Sequence, residues 1–438
     1  MQMRTARDTA IVGTTTLLLS LFAGSTATAA EPPPTCAGRT ATIVGTDGDD
    51  DLEGTDGPDV VSLGAGDDRF DGRGGDDVVC GGPGNDFLNG GLGDDELYGE
   101  DGIDSLIGES GWDLAAGDVA GDDLLSGGPG NDRLRAEPLG AGVDVGGDGA
   151  DIVLGGEGDD TITVWSGDTA GTGKADVVDG GDGWDILSYS DSPVGVVITA
   201  DKGTAKGDAV DTFTGVEAYR GTNFPDVLRG TDGPDHIEAG RALGGADHVI
   251  AGPGDDWLSA EVGTVDAGSG NDYFESDFSG ELDVNLGRGR DHATVSSGHG
   301  TRYRGGPGSD VFTVVDANDG HDYDGTNIDI VGGKGHDELT FAPFFRGIDL
   351  DVKRHLATAR RTKVRFHKTE EYWGTRFADT LLGSGGADRL HGLGGPDLLR
   401  GRAGDDVLLG GDDEDTAYGG PGRDVCDAER RVWCERRP

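Results

Sequence analysis

From Gly45 to Ala116 the chain divides without a gap into eight nonapeptides: GTDGDDDLE, GTDGPDVVS, LGAGDDRFD, GRGGDDVVC, GGPGNDFLN, GGLGDDELY, GEDGIDSLI and GESGWDLAA. The fourth position is Gly in every unit, and the sixth is Asp in every unit: Asp50, Asp59, Asp68, Asp77, Asp86, Asp95, Asp104 and Asp113. Since neither residue type exceeds about a fifth of the chain, sixteen such matches by chance have a probability on the order of 10⁻¹¹. Nine residues hold one turn and one short strand, so such units reach stability only by stacking on one another.

The eighth position carries Leu52, Val61, Phe70, Val79, Leu88, Leu97 and Leu106, with Ala115 in the last unit. Each unit therefore reads as a glycine-rich turn followed by a three-residue strand with one side chain directed inward. The pattern resumes in DVAGDDLLS and GGPGNDRLR (118–135), GGDGADIVL and GGEGDDTIT (146–163) and GGDGWDILS (180–188), whose sixth residues are Asp123, Asp132, Asp151, Asp160 and Asp185. Looser units follow at 230–238, 242–259, 267–275, 305–313 and 332–340. A second clean block spans Gly374 to Asp427, with Asp379, Asp388, Asp397, Asp406, Asp415 and Asp424 at the sixth position.

A longer repeat overlies the short one. Glu217, Tyr219, Gly221, Thr222, Phe224 and Asp226 share their spacing with Glu370, Tyr372, Gly374, Thr375, Phe377 and Asp379. Each set closes a segment that follows a nonapeptide, and the two segments read as β-rich spacers handing one block to the next. The expected organisation is a first block at 45–188, a spacer at 189–229, degenerate units at 230–340, a spacer at 341–373 and a second block at 374–427. Segments 31–44 and 428–438 would cap the ends.

Only 34% of the residues are hydrophobic, 84 are Gly, and 84 acidic residues face 35 basic ones for a formal charge of -49. Self-repulsion at that density calls for a cationic counterpart in any compact fold. It also argues against nucleic acid and anionic membrane surfaces, which select for Lys and Arg patches, and leaves metal ions as the natural partner. Whether a cell-surface or glycan partner exists is left open.

Residues 1–30 read as a cleavable secretion signal: Arg4 and Arg7, an apolar stretch from Ala10 to Ala23, then the small residues Ala27-Thr28-Ala29-Ala30. No stretch approaches the roughly 18 apolar residues of a membrane span. The expected location is extracellular, where the four cysteines would be oxidised. Of their three pairings, Cys36 with Cys80 and Cys426 with Cys434 would staple the two ends of an elongated molecule. No CxxC pair supports a zinc site.

These units resemble the RTX, or haemolysin-type, calcium-binding repeat GGxGxDxUx, with U a large apolar residue. The resemblance covers most of the chain from Gly45 to Asp427. It implies an all-β fold, a parallel β-roll (β-solenoid) interrupted here by the spacers, in which unit n stacks on unit n+2. It further implies that several Ca²⁺ ions sit between stacked turns, held by backbone carbonyls of the turn and by the sixth-position aspartates named above. Eight units give six such pairs, so six ions are the upper guide for the first block. Leu63 in place of the leading Gly, and Phe377 and Asp413 in place of the fourth Gly, depart from the pattern.

A hard cation needs six to eight oxygen ligands, more than the side chains of one short turn supply, so backbone carbonyls must take part. Glycine at alternate turn positions permits this by reaching positive φ and by removing the Cβ between neighbouring turns. The chain is therefore expected to fold on meeting Ca²⁺ outside the cell and to act without catalysis. HExxH and GxSxG motifs are missing, and no repeat-free stretch would hold a catalytic domain. An extracellular adhesin or matrix role is the alternative, and a hydrolase-associated role a weaker one. The nine histidines, HDYDG at His321 and the basic run Lys353–Lys368 read as solvated surface. Trp112, Trp165, Trp184, Trp257 and Trp373 read as packing or capping residues rather than sugar platforms.

Overall fold

The computed structural model describes residues 33–434 apart from 117–122, 131, 136–149, 165–173, 208, 241–244, 277–279, 296–298, 316–326 and 360–361. The segment read as a secretion signal, Trp165 and His321 therefore lie outside the described residues.

Successive nonapeptides alternate between two sheets. In the first sheet Arg69, Phe87 and Ser105 are in parallel register, and in the second Val60, Val78 and Glu96 are. A unit thus pairs with the unit eighteen residues on, so two nonapeptides make one coil. Strands run from Asp51–Glu53 to Arg430–Val432 in the first sheet and from Ile43–Val44 to Val425–Asp427 in the second. Both sheets are open: among the described residues each terminal strand is paired on one side only. The architecture is a parallel β-roll, as the repeat predicts.

The inward row is the eighth position. Val61, Phe70, Val79, Leu88, Leu97, Leu106 and Ala115 are all fully buried, and the row continues through Leu125, Leu134, Val153, Ile162 and Leu187. Their neighbours in the strand face away from this row, which gives the alternating burial of Phe87–Leu92 and Ser105–Ser110, while Val78 and Cys80 are buried in a small outer cluster with Cys36. Leu52, on the first rung of its sheet, is only partly buried. The interior is one side chain deep per unit, so truncating one link removes contacts on the rungs above and below. Leu106→Ala is expected to lower stability by about 2–5 kcal/mol, read as a fall in Tm with calcium present. A cost below about 0.5 kcal/mol would mean that the row is not close-packed.

The spacers are β-rich, and their topology departs from simple coiling. After Ile186–Ser188 the chain runs ahead to Val197–Thr199, turns at Gly203 in the left-handed region, and returns through Thr204–Lys206 to Val210–Thr214. Val210–Thr214 pairs parallel with Val177–Asp182, while Val197–Thr199 pairs parallel with Val227–Arg229. The order along the first sheet is thus reversed across an antiparallel meander. Asp349–Asp351, Leu356–Ala359 and Thr362–His367 repeat this arrangement in the second spacer.

Each meander adds two strands to the first sheet that have no counterpart in the second, where Ile186–Ser188 pairs directly with Ala218–Arg220. Two extra strands widen that face by about 10 Å. Large side chains fill the widened interior: Tyr189, Val196, Phe213 and Tyr219 in one case, Phe341, Phe344, Phe366 and Tyr372 in the other. Disulfides Cys36–Cys80 and Cys426–Cys434 tie down the two ends, in the pairing expected from the sequence. No helix among the described residues is long and apolar enough to cross a membrane.

Candidate metal centre

In each unit the aspartate stands at the mouth of the turn, immediately before its strand. Glycine at the fourth position brings successive turns into contact: Gly102 has φ +152°, and a Cβ there would collide with the Gly84 carbonyl oxygen. Glycine at the first position keeps a second space open. A Cβ on Gly81 would meet both the Asp86 carboxylate of its own unit and, at 2.8 Å, the carbonyl oxygen of Gly99 one coil later. A carboxylate and a backbone carbonyl from successive turns therefore converge on one cradle.

The aspartates form two buried ladders along the roll. On the first sheet the amide N–H of Asp50 donates to Oδ1 of Asp68, and the chain of donors continues through Asp86, Asp104, Asp123 and Asp151 to Asp176 at 2.7–2.9 Å. On the second, Asp59 donates to Asp77, and then Asp95, Asp113, Asp132, Asp160 and Asp185 follow at 2.7–2.9 Å. In the C-terminal block Asp379, Asp397 and Asp415 form one series and Asp388, Asp406 and Asp424 the other. All nineteen aspartates singled out in the sequence thus lie on a ladder.

In each ladder member after the first of its series, one carboxylate oxygen is used in this way. The other, Oδ2, is buried without a hydrogen-bond donor in Asp68, Asp77, Asp86, Asp95, Asp113, Asp132, Asp160, Asp185, Asp397, Asp406, Asp415 and Asp424. An ionised oxygen buried without a partner is costly, so its recurrence along a ladder marks a place for a cation. Loss of hydration raises these carboxyls against the lowering effect of the ladder amide: Asp95 and Asp132 to about 6, Asp77 and Asp113 to about 7, Asp397 to about 8. Hard oxygen donors, a carboxylate and carbonyls at each cradle, match Ca²⁺ rather than a soft or nitrogen-seeking metal. The residues present fit the ion.

Ladder members missed in the sequence are as regular as those found. Asp235, Asp256, Asp272, Asp291, Asp310 and Asp337 continue the second-sheet series through the middle of the chain, and Oδ2 of the last five has no donor. Their units were readable, since each has a turn glycine and a buried apolar residue two positions after Asp. Glu217, Glu370 and Glu429 are the other omission. Each takes the sixth position of a unit whose first two residues are not glycine and accepts the last ladder amide, from Asp185, Asp337 and Asp415 respectively, at 2.8–2.9 Å.

Other residues weighed in the sequence fall elsewhere. Lys363, Arg365 and His367 point outward from their strand, as a solvated basic face should. His391 corrects the expectation that the histidines are surface turn residues. It lies on a strand, is 9% exposed, stacks on Trp373 at 3.7 Å and contacts Glu371 at 2.6 Å, because an imidazole replaces the polar outward residue of its unit. His336 contacts the second Glu371 oxygen at 2.7 Å. Trp257 lies between His236 and Tyr273 in an aromatic ladder whose rings cover one another's faces, so it packs rather than offering a flat platform. Trp112 and Trp184 are exposed.

A family model for the RTX calcium-binding nonapeptide repeat (4 copies) matches residues 44–79, 80–115, 119–137, 145–168, 170–191, 220–258, 241–277, 373–395 and 391–426. No curated protein matches the chain in sequence. The family matches extend over more than half of the chain and coincide with the coils that carry the aspartate ladders, including the middle ones as far as Glu275. The chain belongs to the RTX calcium-binding nonapeptide repeat family.

Proposed function

We propose that the protein is an extracellular, non-catalytic calcium-binding scaffold whose β-roll forms around ions held at the aspartate ladders. The observation that carries this reading is the row of buried Oδ2 atoms without donors, which at Asp77, Asp86, Asp132, Asp160, Asp397 and Asp406 share a cradle with a carbonyl oxygen of the next coil. The ligands are the sixth-position aspartates whose Oδ2 has no donor, together with turn carbonyls, and the ion supplies the positive charge that a chain of net charge -49 lacks. The two disulfides fit an oxidising compartment, which supports secretion. The ion-loaded coils lie within residues 45–188, 230–340 and 374–427, with the meanders between them.

Equilibrium dialysis of residues 31–438 against Ca²⁺, with Mg²⁺ as competitor, tests the reading. Several ions per chain are expected, and a tenfold excess of Mg²⁺ should displace few of them, because Mg²⁺ demands tighter octahedral geometry and sheds water reluctantly. Asp95→Asn combined with Asp113→Asn should remove about two ions, one for each carboxylate. A chain that binds no calcium, or loses none in that variant, sinks the assignment.

A further inference from the structure

Among the described residues, six units have a donor on the second carboxylate oxygen that comes from their own second residue. Their second residues are Thr46, Thr55, Thr222, Thr231, Thr375 and Ser384, and each binds the carboxylate four residues ahead. The backbone N–H of each donates to Oδ2 at 2.6–2.8 Å. The hydroxyl adds a second bond at 2.9–3.2 Å. In ordinary units the second residue has a positive φ whether or not it is glycine, as at Gly82 (φ +113°), Gly91 (φ +103°), Arg73 (φ +70°), Glu109 (φ +71°) and Arg402 (φ +78°). None of the six adopts a positive φ, and the amide is thereby turned onto the carboxylate.

These units are not scattered. They occur as three consecutive pairs, and a consecutive pair is one full coil with one strand in each sheet. One pair opens the first block, and the other two directly follow the meanders. The carbonyl of the following coil is present here as in ordinary units, since a Cβ on Gly221 would meet Asp226 Oδ2 at 2.5 Å and the Ala239 carbonyl oxygen at 2.8 Å. What differs is that the carboxylate of a heading coil is already satisfied from within its own unit.

Resting on the calcium reading above, we propose that the second residue of each nonapeptide decides whether its carboxylate is available to a cation. A second residue at positive φ, glycine or not, leaves the carboxylate to the ion, and a Thr or Ser without positive φ takes it. The described residues accordingly include three cation-independent heading coils, each the platform on which a separate run of ion-dependent coils is laid down.

Calcium bound per chain at saturation, measured by equilibrium dialysis, tests this in three variants alongside wild type. Asp226→Asn with Asp235→Asn, in a heading coil, should leave the count unchanged, whereas Asp95→Asn with Asp113→Asn should lower it by about two. Thr222→Gly with Thr231→Gly, which permits the positive φ of ordinary units, should raise it. Circular dichroism in saturating calcium checks that each variant is folded. Equal losses in the two Asp→Asn variants would overturn the proposal while leaving calcium binding intact, and a wild-type chain without bound calcium would overturn the calcium reading beneath it. If the Thr→Gly variant does not fold, the comparison of the two Asp→Asn pairs still decides.

Discussion

Chelating calcium from the intact chain is expected to abolish most of its far-ultraviolet β signal, and restoring Ca²⁺ but not Mg²⁺ should bring it back cooperatively. The interior holds one buried apolar side chain per nonapeptide, a thin return for ordering nine residues. The ladders add a cost, because stacked strands place like carboxylates about 4.8 Å apart. At an effective dielectric near 20 each neighbouring ionised pair then repels by about 3 kcal/mol. Ion binding reverses the balance: at a hundredfold excess over Kd, each site bound only in the folded form adds about 2.7 kcal/mol. Four or five such ions match the whole stability of an ordinary domain, about 5–15 kcal/mol. A native-like spectrum in excess EGTA would show that backbone pairing and disulfides suffice without the ion.

How much of this was legible in the sequence depends on where the period is strict. From Gly45 to Ala116 every coil has eighteen residues, so the n to n+2 stacking, the inward row and the ladders all follow from counting. In the middle of the chain the same spacing varies, with Asp256 and Asp272 sixteen residues apart and Asp310 and Asp337 twenty-seven apart. Loops absorb the difference while strands and ladder stay in register. A fixed frame therefore passes over carboxylates that the fold keeps aligned.

The meanders were less accessible for another reason. Their strands alternate like any others, as in Val210–Thr214 and Thr362–His367, so the β content was readable. Nothing local records that the chain runs forward and then folds back, since that order is fixed only when Val197–Thr199 finds Val227–Arg229. The paired motifs beginning at Glu217 and Glu370 were visible as a repeat, and their meaning is structural. The glutamate ends one ladder, and the Thr five residues later heads the next coil.

Acidifying the calcium-free chain is expected to do part of what calcium does. Burial raises the ladder carboxyls in the folded form from 3.8 to about 6 in Asp86, Asp256 and Asp406, about 7 in Asp77, Asp272 and Asp310, and about 8 in Asp397. Between those limits the folded chain binds more protons than the unfolded one, so its stability falls as pH rises. The contribution is complete below the ordinary carboxylate value and is lost as pH climbs through about 6 to 8. In EGTA, β signal and Tm should therefore be lowest near pH 8 and should increase on titration toward pH 5. Calcium affinity must run the other way, because proton and ion compete for the same oxygens, so the apparent Kd should weaken as pH drops below about 7. Sodium chloride separates this from general charge repulsion: it screens the exposed carboxylates but leaves buried ones largely untouched. A calcium-free chain whose stability rises with pH across that window, or a calcium affinity constant from pH 5 to 8, would mean that the ladder carboxylates are not the groups that hold the ion.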